Sequence, residues 1–170
     1  MRLFVAIELS DEVKDALMEC IDNIKVQGGK GNFTRRENLH ITLAFLGETE
    51  RLRSAKACLD LVSFPQFDIS LGKQGQFRDI LWVGVEKSHQ LTALAEKMRN
   101  YLRSAGFDID PKPFKAHITV AREFSCDESV LALPATNSMK VKSINLMSSE
   151  RKNGRLVYTC IAKKQLIAVD

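Results

Sequence analysis

One tripeptide occurs twice, and it constrains the fold of this chain more than any other feature: His40-Ile41-Thr42 and His117-Ile118-Thr119. Each copy sits in an apolar run, Leu39 to Leu46 and Lys115 to Ala121, with the length and composition of a β-strand. Each is preceded by a second apolar strand and then a helix. Leu3 to Leu9 reads as a buried strand built on Phe4, Val5 and Ile7, and Ile80 to Val85 reads as another. After the first, Ser10 is a good N-cap and Asp11 and Glu12 suit the positive end of a helix dipole. Val13, Ala16, Leu17, Cys20, Ile21 and Ile24 then recur at helical spacing. After the second, Ser88 can cap a helix whose Leu91, Leu94, Ala95, Met98 and Leu102 share one face. The histidines follow Glu8 and Glu86 at nearly equal intervals, so the order strand, helix, loop, His-Ile-Thr strand marks an internal repeat, approximately 1–64 and 78–135. Two similar βαβ-type lobes related by a pseudo-twofold would bring the marked strands together across a cleft.

The remaining segments fit around this repeat. Gly28-Gly29-Lys30-Gly31 ends the first helix and Gly106 the later one. A helix is expected from Thr49 to Val62 and a strand from Phe67 to Phe77. Strands around Met139 to Ser149 and Arg155 to Ile167 flank Asn153-Gly154, the favoured dipeptide of a type I′ turn, which predicts a C-terminal hairpin over 138–168. A chain of 170 residues, 45% apolar, can bury one sizeable core, so 1–170 is read as a single bilobal domain.

Side chains alternate along a strand, so His40 and Thr42 share one face, as do His117 and Thr119, while Ile41, Leu43, Ile118 and Val120 take the other. Each strand thus buries aliphatic residues and presents an imidazole and a hydroxyl. A lone His-x-Thr is usually a partly buried histidine beside a hydrogen-bonded hydroxyl. Here two of only three histidines fall in identical tripeptides at equivalent points of a repeat, which favours a functional pair.

Paired histidines suit the opening of a cyclic phosphodiester. One group takes a proton from the nucleophile and another gives one to the departing ribose oxygen, and histidine titrates near neutrality and can do either. Thr42 and Thr119 are placed to donate to the non-bridging phosphate oxygens. Neither motif supplies a carboxylate or thiolate, and Cys20, Cys58, Cys126 and Cys160 are dispersed without a C-x-x-C pair, so neither a metal site nor another cofactor is expected. A net charge of +4 suits an anionic ligand without suggesting a polybasic protein. The N-terminal apolar run is too short for a signal peptide and no membrane span is present, which predicts a soluble, cytoplasmic protein, taken as a monomer.

The segments His40-Ile41-Thr42-Leu43-Ala44-Phe45-Leu46-Gly47 and His117-Ile118-Thr119-Val120-Ala121-Arg122 resemble the paired H-x-T-x motifs of the two-histidine phosphoesterases. The likeness is to the RNA 2′,3′-cyclic phosphodiesterase branch, also called 2′-5′ RNA ligases, and it extends over essentially the whole chain. Leu3-Phe4-Val5-Ala6-Ile7, Glu37-Asn38-Leu39 and Ile80-Leu81-Trp82-Val83-Gly84 also look like that branch. Ala116 stands where the family often has proline, and Phe33 where tryptophan is common. The resemblance implies an α+β fold of two pseudo-symmetric lobes, each an antiparallel sheet with outer helices, around a central cleft. It implies hydrolysis of 2′,3′-cyclic phosphate ends of RNA to 2′-phosphomonoesters, with His40 as general acid and His117 as general base. tRNA halves or cyclic nucleotides are further candidate substrates, and some family members reversibly form 2′-5′ linkages. From spacing alone, the two histidines are interchangeable. The alternative from a different class is an RNA- or nucleotide-binding module without turnover.

Other residues are weighed against plainer explanations. In a regular strand Arg122 falls on the face opposite His117, where a surface ion pair is the ordinary reading. A bulge would re-aim it, and the family likeness gives it a phosphate-binding role. Phe45 and Trp82 read as core, His89 as an exposed surface residue, and Lys115 as sharing the face of His117. Lys140, Lys142, Arg151, Lys152, Arg155, Lys163 and Lys164 make the hairpin basic, which reads first as an edge that resists sheet-to-sheet pairing, with RNA contact as the competing explanation.

Overall fold

The structure is a computed structural model that describes residues 1–127 and 137–169. The described residues form an α+β fold of two antiparallel sheets with three α-helices. The four-stranded sheet has the order β3-β1-β8-β9, from β1 (Arg2–Glu8), β3 (His40–Glu48), β8 (Ser143–Lys152) and β9 (Arg155–Gln165). The five-stranded sheet has the order β2-β6-β5-β4-β7. Its strands are β2 (Lys30–Phe33), β4 (Phe67–Phe77), β5 (Ile80–Val85), β6 (His117–Ser125) and β7 (Ser138–Val141). β3 and β6, the two His-Ile-Thr strands, lie against one another between the sheets.

Two sixteen-residue helices repeat the same start. α1 (Asp11–Val26) is capped by Ser10, whose Oγ accepts from Val13 N at 3.3 Å. α3 (His89–Ser104) is capped by Ser88, whose Oγ accepts from Leu91 N at 3.1 Å. Each such cap is worth about 1 kcal/mol. Val13, Leu17, Cys20, Ile21 and Ile24 of α1, and Leu91, Leu94, Ala95, Met98 and Leu102 of α3, are buried in one shared core. α2 (Leu52–Leu61) is shorter than the Thr49 to Val62 expected. Its first turn carries no side-chain cap, and Thr49 Oγ1 is occupied with Arg51 N.

Several expectations need correction. β1 pairs directly and antiparallel with β3, and β5 with β6, so neither helix is a parallel βαβ crossover. Glu8 stands opposite His40, but Gly84, not Glu86, stands opposite His117, so the repeat aligns through the strands two residues earlier than its sequence landmark. The terminal hairpin spans β8 and β9 only. Its Asn153-Gly154 turn has both residues at positive φ, as a type I′ turn requires, whereas Ser138–Val141 pairs with β4 in the other sheet. β2 was not anticipated at all: a Cβ on Gly31 would stand 3.0 Å from Arg122 O and 3.0 Å from the Phe124 Cα, so the close pairing with β6 needs glycine there. The end of the second repeat, residues 128–135, lies outside the described residues.

Candidate active site

The two His-Ile-Thr strands fold alike because both contain the same irregularity. In β3 the ladder with β1 skips Leu43, and in β6 the ladder with β5 skips Val120. Leu43 and Ala44 are consequently both buried, as are Val120 and Ala121, and the alternation reverses after each pair. The reversal brings Arg122 to the face of His117 and Thr119, where a regular strand would not put it. By the same shift Phe45 joins the face of His40 and Thr42. It is 62% exposed, so its assignment to the core is overturned. Trp82 is half-buried opposite Thr119, with its ring 6.5 Å from that of His117, so it too borders the cleft rather than the core.

Both imidazoles are fixed in the same manner. His40 Nδ1 lies 2.7 Å from Asn38 O, and His117 Nδ1 lies 2.8 Å from Lys115 O. A carbonyl only accepts, so each Nδ1 carries the hydrogen, and each Nε2 is left as the ring nitrogen that can take up or give a proton. Asn38, buried and missed as a functional residue, is itself anchored: its Nδ2 donates to Leu156 O at 3.0 Å. Its position, two residues before the histidine, recurs in the second motif, although nothing in the residue types there marks it. Lys115 contributes its carbonyl in this way, and its side chain is exposed.

The surroundings of the two histidines differ. His117 is exposed, and His40 is half-buried among aromatic rings, 5.1 Å from Phe4 and 5.3 Å from Tyr158 between centroids. Burial lowers the His40 pKa below its ordinary value. The hydrogen bond to Asn38 opposes this, while the positive charges of His117 and Arg122 add to it. Arg122 also opposes the upward push of burial on the Tyr158 hydroxyl. One guanidinium on β6 thus acts on His40 of β3 and Tyr158 of β9. Thr42 shares the face of His40 on β3, Thr119 and Arg122 share that of His117 on β6, and the two strands are in contact, whereas His89 is exposed at the start of α3. Among the described residues, no cluster of three or more His, Cys, Asp or Glu is placed to hold a metal ion.

The profile of the 2′-5′ RNA ligase superfamily matches residues 5–153. The chain belongs to that superfamily. Among curated members, it is 38% identical over 130 residues to the RNA 2′,3′-cyclic phosphodiesterase of Archaeoglobus fulgidus, covering 72% of this chain and 72% of that one. It is 29% identical over 165 residues to the Escherichia coli protein of the same name, covering 93% and 92%. The crystal structure of E. coli LigT in apo form superposes with a TM-score of 0.86 at 28% identity, covering 98% of this chain and 97% of that one. The superfamily fold thus extends through both sheets, including the bulged strands that carry the two histidines. No helix among the described residues is long and apolar enough to cross a membrane.

Proposed function

We propose that this chain is an RNA 2′,3′-cyclic phosphodiesterase that hydrolyses cyclic phosphate termini to 2′-phosphomonoesters by acid-base catalysis. The observation that carries the reading is the matched pair of imidazoles on facing strands, each with Nδ1 held by the carbonyl two residues earlier and Nε2 left to exchange a proton. His117 Nε2 takes a proton from water as the oxygen attacks phosphorus. The P–O3′ bond breaks on the far side, and His40 Nε2–H gives its proton to the departing O3′. Thr42, Thr119 and Arg122 bind the non-bridging oxygens, whose charge is best stabilised by fixed donors. With a 5′-hydroxyl in place of water, the same bond exchange yields a 2′-5′ phosphodiester.

The lowered pKa of His40 fits a donor that gives up its proton readily, and the phosphate anion supplies the opposite charge that restores that proton on binding. The favoured substrates are RNA 2′,3′-cyclic ends, with tRNA halves and cyclic nucleotides in the same chemical class. The protein is proposed to work as a cytoplasmic monomer without a metal.

The deciding experiment is hydrolysis of a short RNA ending in a 2′,3′-cyclic phosphate, in excess EDTA, by wild type, His40→Ala and His117→Ala. Conversion to a 2′-phosphate by wild type, reduced about 10²- to 10⁴-fold in each variant, supports the mechanism. Substrate binding with no turnover by folded wild type would instead make the chain a binding module.

A further inference from the structure

A cavity of about 200 Å³ opens beside His40, on the face of the four-stranded sheet that also carries Thr42. Its walls include Phe4, Met147 and Tyr158, and the rings of Phe4 and Tyr158 meet edge to face at 5.0 Å. Glu8 and Glu37 stand in its lining, the former paired with Lys14 at 3.6 Å and the latter with Arg35 at 3.1 Å. Asn145 lines it as well. That residue is 2% exposed, and its Oδ1 has no hydrogen-bond partner among the described residues. Buried side-chain polar atoms nearly always have a partner, so an orphan amide oxygen beside a cavity points to a donor supplied from outside.

The chemistry of the lining narrows that group. The volume is below the ~300–1,000 Å³ of pockets that hold drug-sized ligands and several times the ~30 Å³ share of one water, which suits a single flat ring system. Both carboxylates are already ion-paired within the protein and the lining offers an anion no free cation besides His40, so an uncharged occupant is favoured, and the aromatic walls favour a planar one. Asn145 Oδ1 lacks an N–H donor and the ion-paired carboxylates can accept a further one, and an asparagine amide can return a hydrogen bond to a ring nitrogen. An amino group next to a ring acceptor has that pattern, as in the pairing of asparagine with adenine or of a carboxylate with the cytosine amine.

We propose that this cavity is a nucleobase subsite in which Asn145 selects an amino-bearing base over uracil in the RNA held at His40. The inference rests on the phosphodiesterase reading of the cleft. Acid catalysis by His40 puts the departing ribose oxygen, and with it the nucleoside, on this side of phosphorus. The base is either that of the terminal nucleotide or that of the one before it.

The test is calorimetric binding, which is independent of turnover. The probes are the four nucleoside 2′-monophosphates and dinucleotides ending in a 2′-phosphate with the first base varied, titrated into wild type and Asn145→Leu. Wild type is expected to favour adenine and cytosine over uracil by about tenfold, and Asn145→Leu to lose most of that ratio. A ratio seen in the monophosphates assigns the subsite to the terminal base, and one seen only in the dinucleotides assigns it to the preceding base. Equal affinities for all bases in wild type, or an unchanged ratio in folded Asn145→Leu, overturn the proposal. Should that variant fail to fold, exposed Glu37→Gln must reduce the same ratio, and its failure to do so is equally decisive. Absence of turnover with the base ratio intact would remove the enzymatic reading alone.

Discussion

His40 Nε2 lies 2.8 Å from Thr42 Oγ1, so the imidazole and the hydroxyl of the first motif are bonded to each other across one turn of the strand pleat. With Nδ1 protonated, the neutral ring accepts from the hydroxyl, and Thr42 must turn from His40 to phosphate when substrate arrives. Thr42→Val is therefore expected to lower kcat by about 10²-fold, the scale for losing one fixed donor to a developing oxyanion. Steady-state kinetics on a dinucleotide ending in a 2′,3′-cyclic phosphate would reveal this; an unchanged kcat would remove Thr42 from the phosphate contacts.

Arg122 supplies a second prediction that needs no turnover. Its positive charge helps to depress the His40 pKa, so Arg122→Ala should raise it. An NMR titration of the His40 ring in the two proteins measures the shift. No change, or a downward one, would mean that the guanidinium does not reach across the cleft.

The same histidine couples stability to pH. Its folded pKa is below the unfolded value of 6.5, so the neutral ring stabilises the fold above that pH. The contribution is lost as pH falls through the folded pKa, because protonation then favours the unfolded chain. The melting temperature should drop on acidification below 6.5 by less in His40→Gln than in wild type. Parallel melting curves for the two proteins across that range would contradict the assigned burial.

Gly31→Ala tests the strand that the sequence did not announce. Its new Cβ would meet backbone on β6 from two residues, Arg122 and Phe124, at 3.0 Å each. A loss of about 1–3 kcal/mol in urea unfolding is expected, typical of overpacking against groups that cannot rotate away. Wild-type stability would show that β2 can separate from β6 at little cost.

Where the sequence spoke clearly, a period or a cap did the work. Ser10 and Ser88 locate two helix starts, and the apolar stripes behind them become the core as expected. The paired motifs locate the cleft because His-Ile-Thr buries only its middle residue. β2 was hidden because Lys30-Gly31-Asn32-Phe33 has no apolar alternation and is a strand only through its fit to β6. Phe45 was misplaced, and the face of Arg122 left open, for one reason: a bulge shifts parity by one residue, and nothing in Leu43-Ala44 or Val120-Ala121 announces the ladder position that is skipped. The Asn38 and Lys115 carbonyls were invisible for a different reason, since backbone atoms leave no mark in residue identity.

The four-stranded sheet joins β1, which ends at Glu8, directly to β8, which begins at Ser143. On the ribosome, β1 and β3 therefore emerge long before the strand that covers their inner edge. The pairing of β4, β5 and β6 is local by comparison and can form first. The sheet that carries His40 is left as an open edge until the C-terminal hairpin has been synthesised, which makes it the slow and aggregation-exposed half of the molecule. The half whose histidine is made first is thus the half whose sheet is completed by the strands made last.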